Sequence, residues 1–348
     1  MWLSENNASP FSILGNILQH GGNAMGLIKY RTSVLAAGLV IGLIATAAAI
    51  AADPWPHRTV RLIVPFGSGT APDVAARSYG ERLAARWKRP VIVENRPGAE
   101  GLIGVTAFAG MRDEHALLFS PAAPISVFPF TQEKLAYDPA RDFVPISSAI
   151  DTFGSIAVSA SLKVASLAEL VTLARAQPGK LNWTSGGGAF PILLAGFAKT
   201  AGLDVVQVSY RQQNLAIQDL AEGRIQVLAT TLTALLPFAQ AGKIRLLAVT
   251  NKRRAPIAPE VPTAIETGYP ELEFEGLVGF FGGLDMPAAL RDRISADIRA
   301  VAPDPILVER LASAGQIVRG STAAEFAGAI EEQRARIEAI VRLIRGRQ

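Results

Sequence analysis

The sequence predicts an α/β protein of about two domains, in which helices cover parallel sheets. Three observations lead there. Strand-like and helix-like segments alternate along most of the chain. The 348 residues, 49% hydrophobic and 18% charged, supply full cores and argue against long disordered tracts. Two small-residue turns, Gly67-Ser-Gly69 and Ser185-Gly-Gly-Gly188, each join a predicted strand to a predicted helix.

The first fifty residues do not belong to that pattern. Lys29-Tyr30-Arg31 is a short positive segment, Val34–Ile50 is apolar and uncharged, and Ala47–Ala51 offers A-x-A cleavage patterns before Asp53-Pro54. This is the layout of an export signal. The run is slightly short for a transmembrane span of about 20 residues and is rich in Ala and Gly. Residues 1–51 are therefore expected to be a leader, with the signal at 25–51. Met25 opens a normal signal start, so residues 1–24 are expected to reflect a misplaced start site. The mature chain would be periplasmic.

Removing Lys29, Arg31 and Glu5 from 34 basic and 30 acidic residues leaves a net charge of +3. That scattered excess gives no footprint for nucleic acid. There is no cysteine, which excludes disulfides, thiol catalysis and thiolate metal sites. Only His57 and His115 remain after the leader, without H-x-x-H or H-E-x-x-H spacing. No metal or cofactor is expected.

The elements follow in order. Thr59–Phe66 is apolar and β-branched, a strand. Pro72 fits the first turn of a following helix; Val74, Ala75, Tyr79 and Leu83 then recur at helical spacing. Val91–Val93 and Ala116–Phe119 are short buried strands, and Ser155–Val158 is another. Ser166 caps a helix that runs to Ala176, and Glu169 stands three residues on. Leu181–Thr184, Val205–Val208, Ile225–Ala229 and Arg245–Thr250 read as strands. Ile192–Ala201 and Leu215–Ala221 read as helices between them. From Ser321 a terminal helix begins with a Thr322/Glu325 capping pattern and an apolar face of Phe326, Ile330, Ile337, Val341 and Ile344.

The two glycine turns are the candidate site. Gly67-Ser-Gly69 could open a dinucleotide fingerprint, but its third position is Pro72 and only Glu94 could serve as the acidic partner. A plain βα turn is the bland alternative. The physics left over is general: small residues let a ligand approach, and free N–H groups at a helix start favour an anion. Ser185–Gly188 repeats the design, so two domains could face each other over one anion. A serine hydrolase finds little support: Ser68 lacks the G-x-S-x-G frame, and His115 is the only histidine away from the mature terminus. Nothing points to paired carboxylates for glycoside chemistry.

Longer motifs add to this. Pro65-Phe66-Gly67-Ser68-Gly69-Thr70 continues to Asp73 and Arg77; Val91–Gly104 reads VIVENRPGAEGLIG; Tyr137–Phe143 reads YDPARDF. Pro178–Asn182, Gly242–Thr250 and Glu260–Thr263 read PGKLN, GKIRLLAVT and EVPT. In this order the chain resembles the Bug family, the exported solute-binding receptors of tripartite tricarboxylate transporters, from Trp55 to the terminal helix. The resemblance implies a two-lobed Venus flytrap, a monomer without catalysis that holds a small organic carboxylate between its lobes, with membrane subunits of a transporter as partners. A sensor or scavenger without transport, or more remotely an exported hydrolase, stays open. Lobe one would combine 53–152 with 279–348, and lobe two would be 153–278, with crossings near Thr152–Ser155 and Glu275–Phe280. The implied ligand contacts are Phe66, Gly67, Ser68, Gly69, Thr70 and Asp73; then Ser120, Pro121, Ala122 and Ala123; then Ser185, Gly186, Gly187, Gly188, Ala189 and Phe190; and lastly Tyr210 and Thr230.

Departures from the family pattern matter. Thr70 stands for the second glycine, and Glu100 replaces a glycine and puts a carboxylate near the mouth. Leu193, Phe197 and Thr230 stand where hydrogen-bonding side chains are usual; Arg211 keeps the usual basic residue after Tyr210. An apolar or aromatic monocarboxylate is expected over citrate or a short dicarboxylate.

Overall fold

The computed structural model describes residues 55–346; the expected leader lies outside them. The chain opens with β1 (Val60–Val64), four of whose five residues are fully buried. Next comes α1 (Ala71–Trp87), with Pro72 in the first turn, where an N–H would have no helical acceptor. Ala75, Ala76, Tyr79 and Leu83 form its buried face, as their spacing predicts. β2 (Val91–Asn95), α2 (Leu102–Ala109) and β3 (Ala116–Pro121) follow, then the short α3 (Ala123–Ser126) and α4 (Phe128–Thr131), then β4 (Phe143–Thr152).

One residue after β4 the chain enters a second sheet as β5 (Gly154–Ser159). α5 (Leu167–Ala176) starts where Ser166 Oγ accepts the Glu169 N–H at 3.1 Å. β6 (Asn182–Ser185), α6 (Phe190–Ala201), β7 (Val206–Gln207), α7 (Gln213–Ala221), β8 (Val227–Thr231), α8 (Leu232–Gln240) and β9 (Ile244–Val249) complete this part. The chain then returns through β10 (Gly276–Gly283), α9 (Ala288–Val301), α10 (Pro305–Ser313), β11 (Ile317–Val318) and α11 (Ala323–Arg345).

The strand orders are β11-β4-β10-β3-β1-β2 and β7-β6-β8-β5-β9. The expectation of parallel sheets needs correction, because both are mixed. β10 runs antiparallel to β3 and β4, and β5 antiparallel to β8 and β9. β10 and β5 are each the strand that has just crossed from the other sheet; the two-residue edge strand β11 is also antiparallel to β4 but follows α10. A strand inside a β-α-β unit enters its sheet from the far end, after its helix. A strand arriving directly from the neighbouring lobe enters at the facing end and so runs the other way. β1, β3, β6 and β8 therefore finish where β5 and β10 begin, and one gap collects all these strand ends.

α11 touches both lobes. Phe326 and Ile330 pack in a first-lobe core with Phe281 and Phe108. Ile337 and Val341 pack in a second-lobe core with Leu194 and Phe197. Gly196 permits the approach of α6, since a Cβ there would lie 2.5 Å from an Ile340 methyl. The capping box is present: Thr322 Oγ1 accepts from Glu325 N at 3.2 Å, and Glu325 Oε2 accepts from Thr322 N at 2.8 Å.

Candidate functional site

The turn after β1 answers its own N–H groups. Asp73 Oδ2 accepts from Gly69 N at 2.8 Å, and Asn95 Nδ2 donates to Oδ1 at 2.8 Å. Arg77 pairs with the same carboxylate at 3.0 Å. Asp73 is 2% exposed and does not line the cleft, so its expected ligand contact gives way to a capping role. Burial alone would push its carboxyl upward. The hydrogen bonds from Arg77, Gly69 and Asn95 outweigh that and hold it below the usual carboxylate range. Gly69 has φ +81, while Thr70 has φ −72, so threonine in place of glycine costs no backbone strain. Of the residues Phe66–Thr70, only Phe66 lines the gap between the lobes; Gly67, Ser68, Gly69 and Thr70 do not.

At the end of β3, Pro121 and Ala123 face the gap. Ser120 and Ala122 are turned inward, each 1% exposed, and Ala122 N donates to Leu277 O at 2.9 Å. In the second lobe, Gly187, Gly188, Ala189 and Phe190 line the gap, while Ser185 and Gly186 precede it. Gly186 N still donates to Ala229 O at 2.8 Å, so the sheet runs one residue further than the turn motif suggests.

Thr230 and Tyr210 are not brought into the cavity. Strand alternation buries Thr230 and presents Thr231 instead. The buried Thr230 hydroxyl has no hydrogen-bond partner. Tyr210 donates to Asp219 Oδ2 at 2.5 Å, and desolvation together with that carboxylate pushes its hydroxyl up to about 12. Leu193 and Phe197 are 1% and 2% exposed in the second-lobe core, with Phe197 edge-on to Tyr269 at 5.5 Å. They do not make the cavity apolar, as the sequence suggested.

The cavity itself has a volume of about 370 Å³. Phe66, Phe128, Phe153, Phe190 and Phe274 surround it, with the strand ends Thr152, Gly154, Gly276, Leu277 and Val278. Gln333 of α11 forms part of its floor; its amide oxygen accepts from Ser126 Oγ at 2.6 Å and its amide nitrogen donates to Glu275 O at 2.8 Å. No lysine or arginine is among the described residues that line it. Glu100 alone among them is charged, and its Oε2 lies 3.4 Å from Gly188 N across the gap. Sequence reasoning missed Phe128, Phe153, Phe274 and Gln333. Glycines at the two crossings, Gly154 and Gly276, were a usable signal for strand ends; nothing local marked Gln333.

Other hollows, one of about 240 Å³ beside Met111 and one of about 560 Å³ beside Arg299, contain none of the predicted residues. One grouping escapes sequence motifs: His57, Glu114 and His115 bring ligand-type atoms within 4.8 Å of one another.

Residues 75–345 match the family described as the Tripartite tricarboxylate transporter family receptor, TctC. The chain belongs to this family. Relatives agree. The UPF0065 protein in the tcbD-tcbE intergenic region of Pseudomonas sp. (strain P51) is 32% identical over 76% of this chain and 79% of its own length. Protein BugT of Bordetella pertussis is 32% identical over 67% and 73%. Among solved structures, R. palustris Rpa4515 with adipate is 27% identical, with TM-score 0.73 over 83% of this chain and 98% of that one. TctC receptors are two-lobed periplasmic binding proteins, and their fold and family are those of receptors rather than enzymes.

Proposed function

We propose that this chain is an exported, monomeric solute-binding protein that captures one small organic carboxylate between its lobes and presents it to membrane subunits of a tripartite transporter. It carries out no catalysis. The first lobe combines residues 55–152 with the chain from β10 onward, and the second is the stretch between them. The observation that carries the reading is the cavity where the strand ends of both sheets meet at a helix start, the usual ligand position in open α/β folds. The R. palustris relative with adipate supports a carboxylate as ligand. Gly187–Phe190 brings the first-turn N–H groups of α6 to the cavity edge, and such groups favour an anion.

The rest of the cavity favours an apolar body. Phe66 and Phe190 would cover it, at about 25 cal/mol per Å² of area removed from water. A citrate-like polar end among these rings would lose its water without partners, at about 1–3 kcal/mol per group. Calorimetric titration of the purified protein with benzoate and with citrate tests this. Tighter binding of benzoate is expected. Tighter binding of citrate would overturn the ligand class, and binding of no organic acid across a thermal-shift panel would overturn the receptor reading.

A further inference from the structure

Glu100 belongs to the first lobe, in the loop between β2 and α2, yet its carboxylate ends on the second. Oε2 lies 3.4 Å from Gly188 N. Gly187 is pressed so close beneath it that a Cβ there would stand 2.8 Å from the same oxygen. The second-lobe turn, read above as a place for an anion, already holds one from the chain itself. The loop is strained to do this. Glu100 has φ +55 and Ala99 before it φ +47, a left-handed backbone that residues with a Cβ adopt at a cost. Strain kept in a cleft loop points to a use for the side chain. Among the described residues no lysine or arginine lines the cavity, so no cationic side chain there offsets a second negative charge.

We propose that Glu100 sets the charge of the ligand that this cleft accepts. Resting on the reading of the chain as a carboxylate receptor, the assignment is that Glu100 takes the position where a ligand's second carboxylate would meet the second-lobe N–H groups. Two carboxylates a few ångströms apart, without a cation between them, disfavour each other's ionised form. The cleft therefore admits monocarboxylates with an apolar body and turns away dicarboxylates. Glu100 acts by direct repulsion and by occupying a donor.

The test uses the mature protein with Glu100→Gly and Glu100→Gln, titrated by calorimetry with benzoate and adipate. Glycine suits φ +55 and removes the carboxylate; glutamine keeps the length and removes the charge. Glu100→Gly should bind adipate at least about tenfold tighter than the unchanged protein, and Glu100→Gln should show a smaller gain. Benzoate affinity should move by less than about threefold, since its single carboxylate does not use this position. Equal adipate affinity in all three proteins, or folded variants that still bind benzoate but gain nothing for adipate, overturns the role of Glu100 and leaves the receptor reading standing. Variants that melt cooperatively yet bind neither acid, like the unchanged protein, overturn both.

Discussion

Gly187 and Gly188 are neighbours in one turn with different surroundings. Gly188 has φ +72 and open space where a side chain would go, so its backbone angle is the constraint. Gly187 has no such angle; a Cβ there would stand 2.8 Å from Glu100 Oε2, so the Glu100 side chain would have to swing aside. His115 shows a different residue-scale effect. It is fully buried beside Trp55 and His57, and neither ring nitrogen has a hydrogen-bond partner among the described residues. Burial, followed by the nearby Arg58 charge, lowers its pKa below the ordinary 6.5. The unfolded chain then binds a proton at a pH where the folded one does not. The stability contributed by a neutral His115 is present above pH about 6.5 and falls away as pH drops toward the folded value. The melting temperature of His115→Phe should therefore lose part of the decline seen in the unchanged protein between about pH 7 and 5. Parallel curves for both proteins would show that His115 does not contribute.

At the scale of elements, the start of α1 depends on Asp73 more than on its glycines. One buried carboxylate accepts from Gly69, Asn95 and Arg77. Asp73→Ala should cost about 1–3 kcal/mol in urea unfolding near neutral pH, because it leaves those donors unanswered. The loss should shrink in acid, since the lowered pKa of Asp73 means its contribution is present above the ordinary carboxylate range and fades as pH falls through the folded value. A loss that is the same at every pH would contradict this. Elements with local signals were legible in the sequence: Thr322 with Glu325 marked the start of α11, Ser166 that of α5, and apolar spacing marked the buried face of α1. β4 and β10 were not. β4 carries Ser147, Ser148 and Asp151 in its interior, and β10 is interrupted by glycines that read as turns. Gly279 is instead a place of close packing, where a Cβ would lie 2.4 Å from Ser147 O and 2.5 Å from the Phe326 ring. The site divided in the same way. The two turns were legible because strand, glycine and helix are consecutive. Which side of each turn meets the cavity was not, because Asp73 and Glu100 find their partners through contacts that spacing does not encode, and Thr230 is turned inward.

Across the whole molecule, the chain links the lobes at the step from β4 into β5 and the return into β10; α11 packs on both lobes, and Val127, Phe128 and Ile317 also reach second-lobe cores. The helix differs from the strands because both of its ends are buried, Phe326 in one lobe and Ile337 in the other. Gln333 stands between them and is held on both sides, by Ser126 and by Glu275. Parting the lobes like a jaw would pull one end of the helix out of its core and wet its apolar face. Turning them about the helix would disturb far less. We therefore predict that the lobes turn about α11, as leaves about the pin of a door. The edge near a pin sweeps little and the free edge sweeps far. Gln333, almost buried on the cavity floor, is near the pin, whereas exposed Glu100 and Gly187 stand at the free edge. Distance probes on Arg96 and on Gln213, which lies beside the Gly186 turn, compared with probes on Phe130 and Arg342 put this to the test: ligand should shorten the first distance and leave the second nearly fixed, and equal changes in both would remove the pin. A latch at the free edge works with the longest lever arm, so the weak contact of one carboxylate with one N–H there has more leverage over closure than the same contact would have beside the helix.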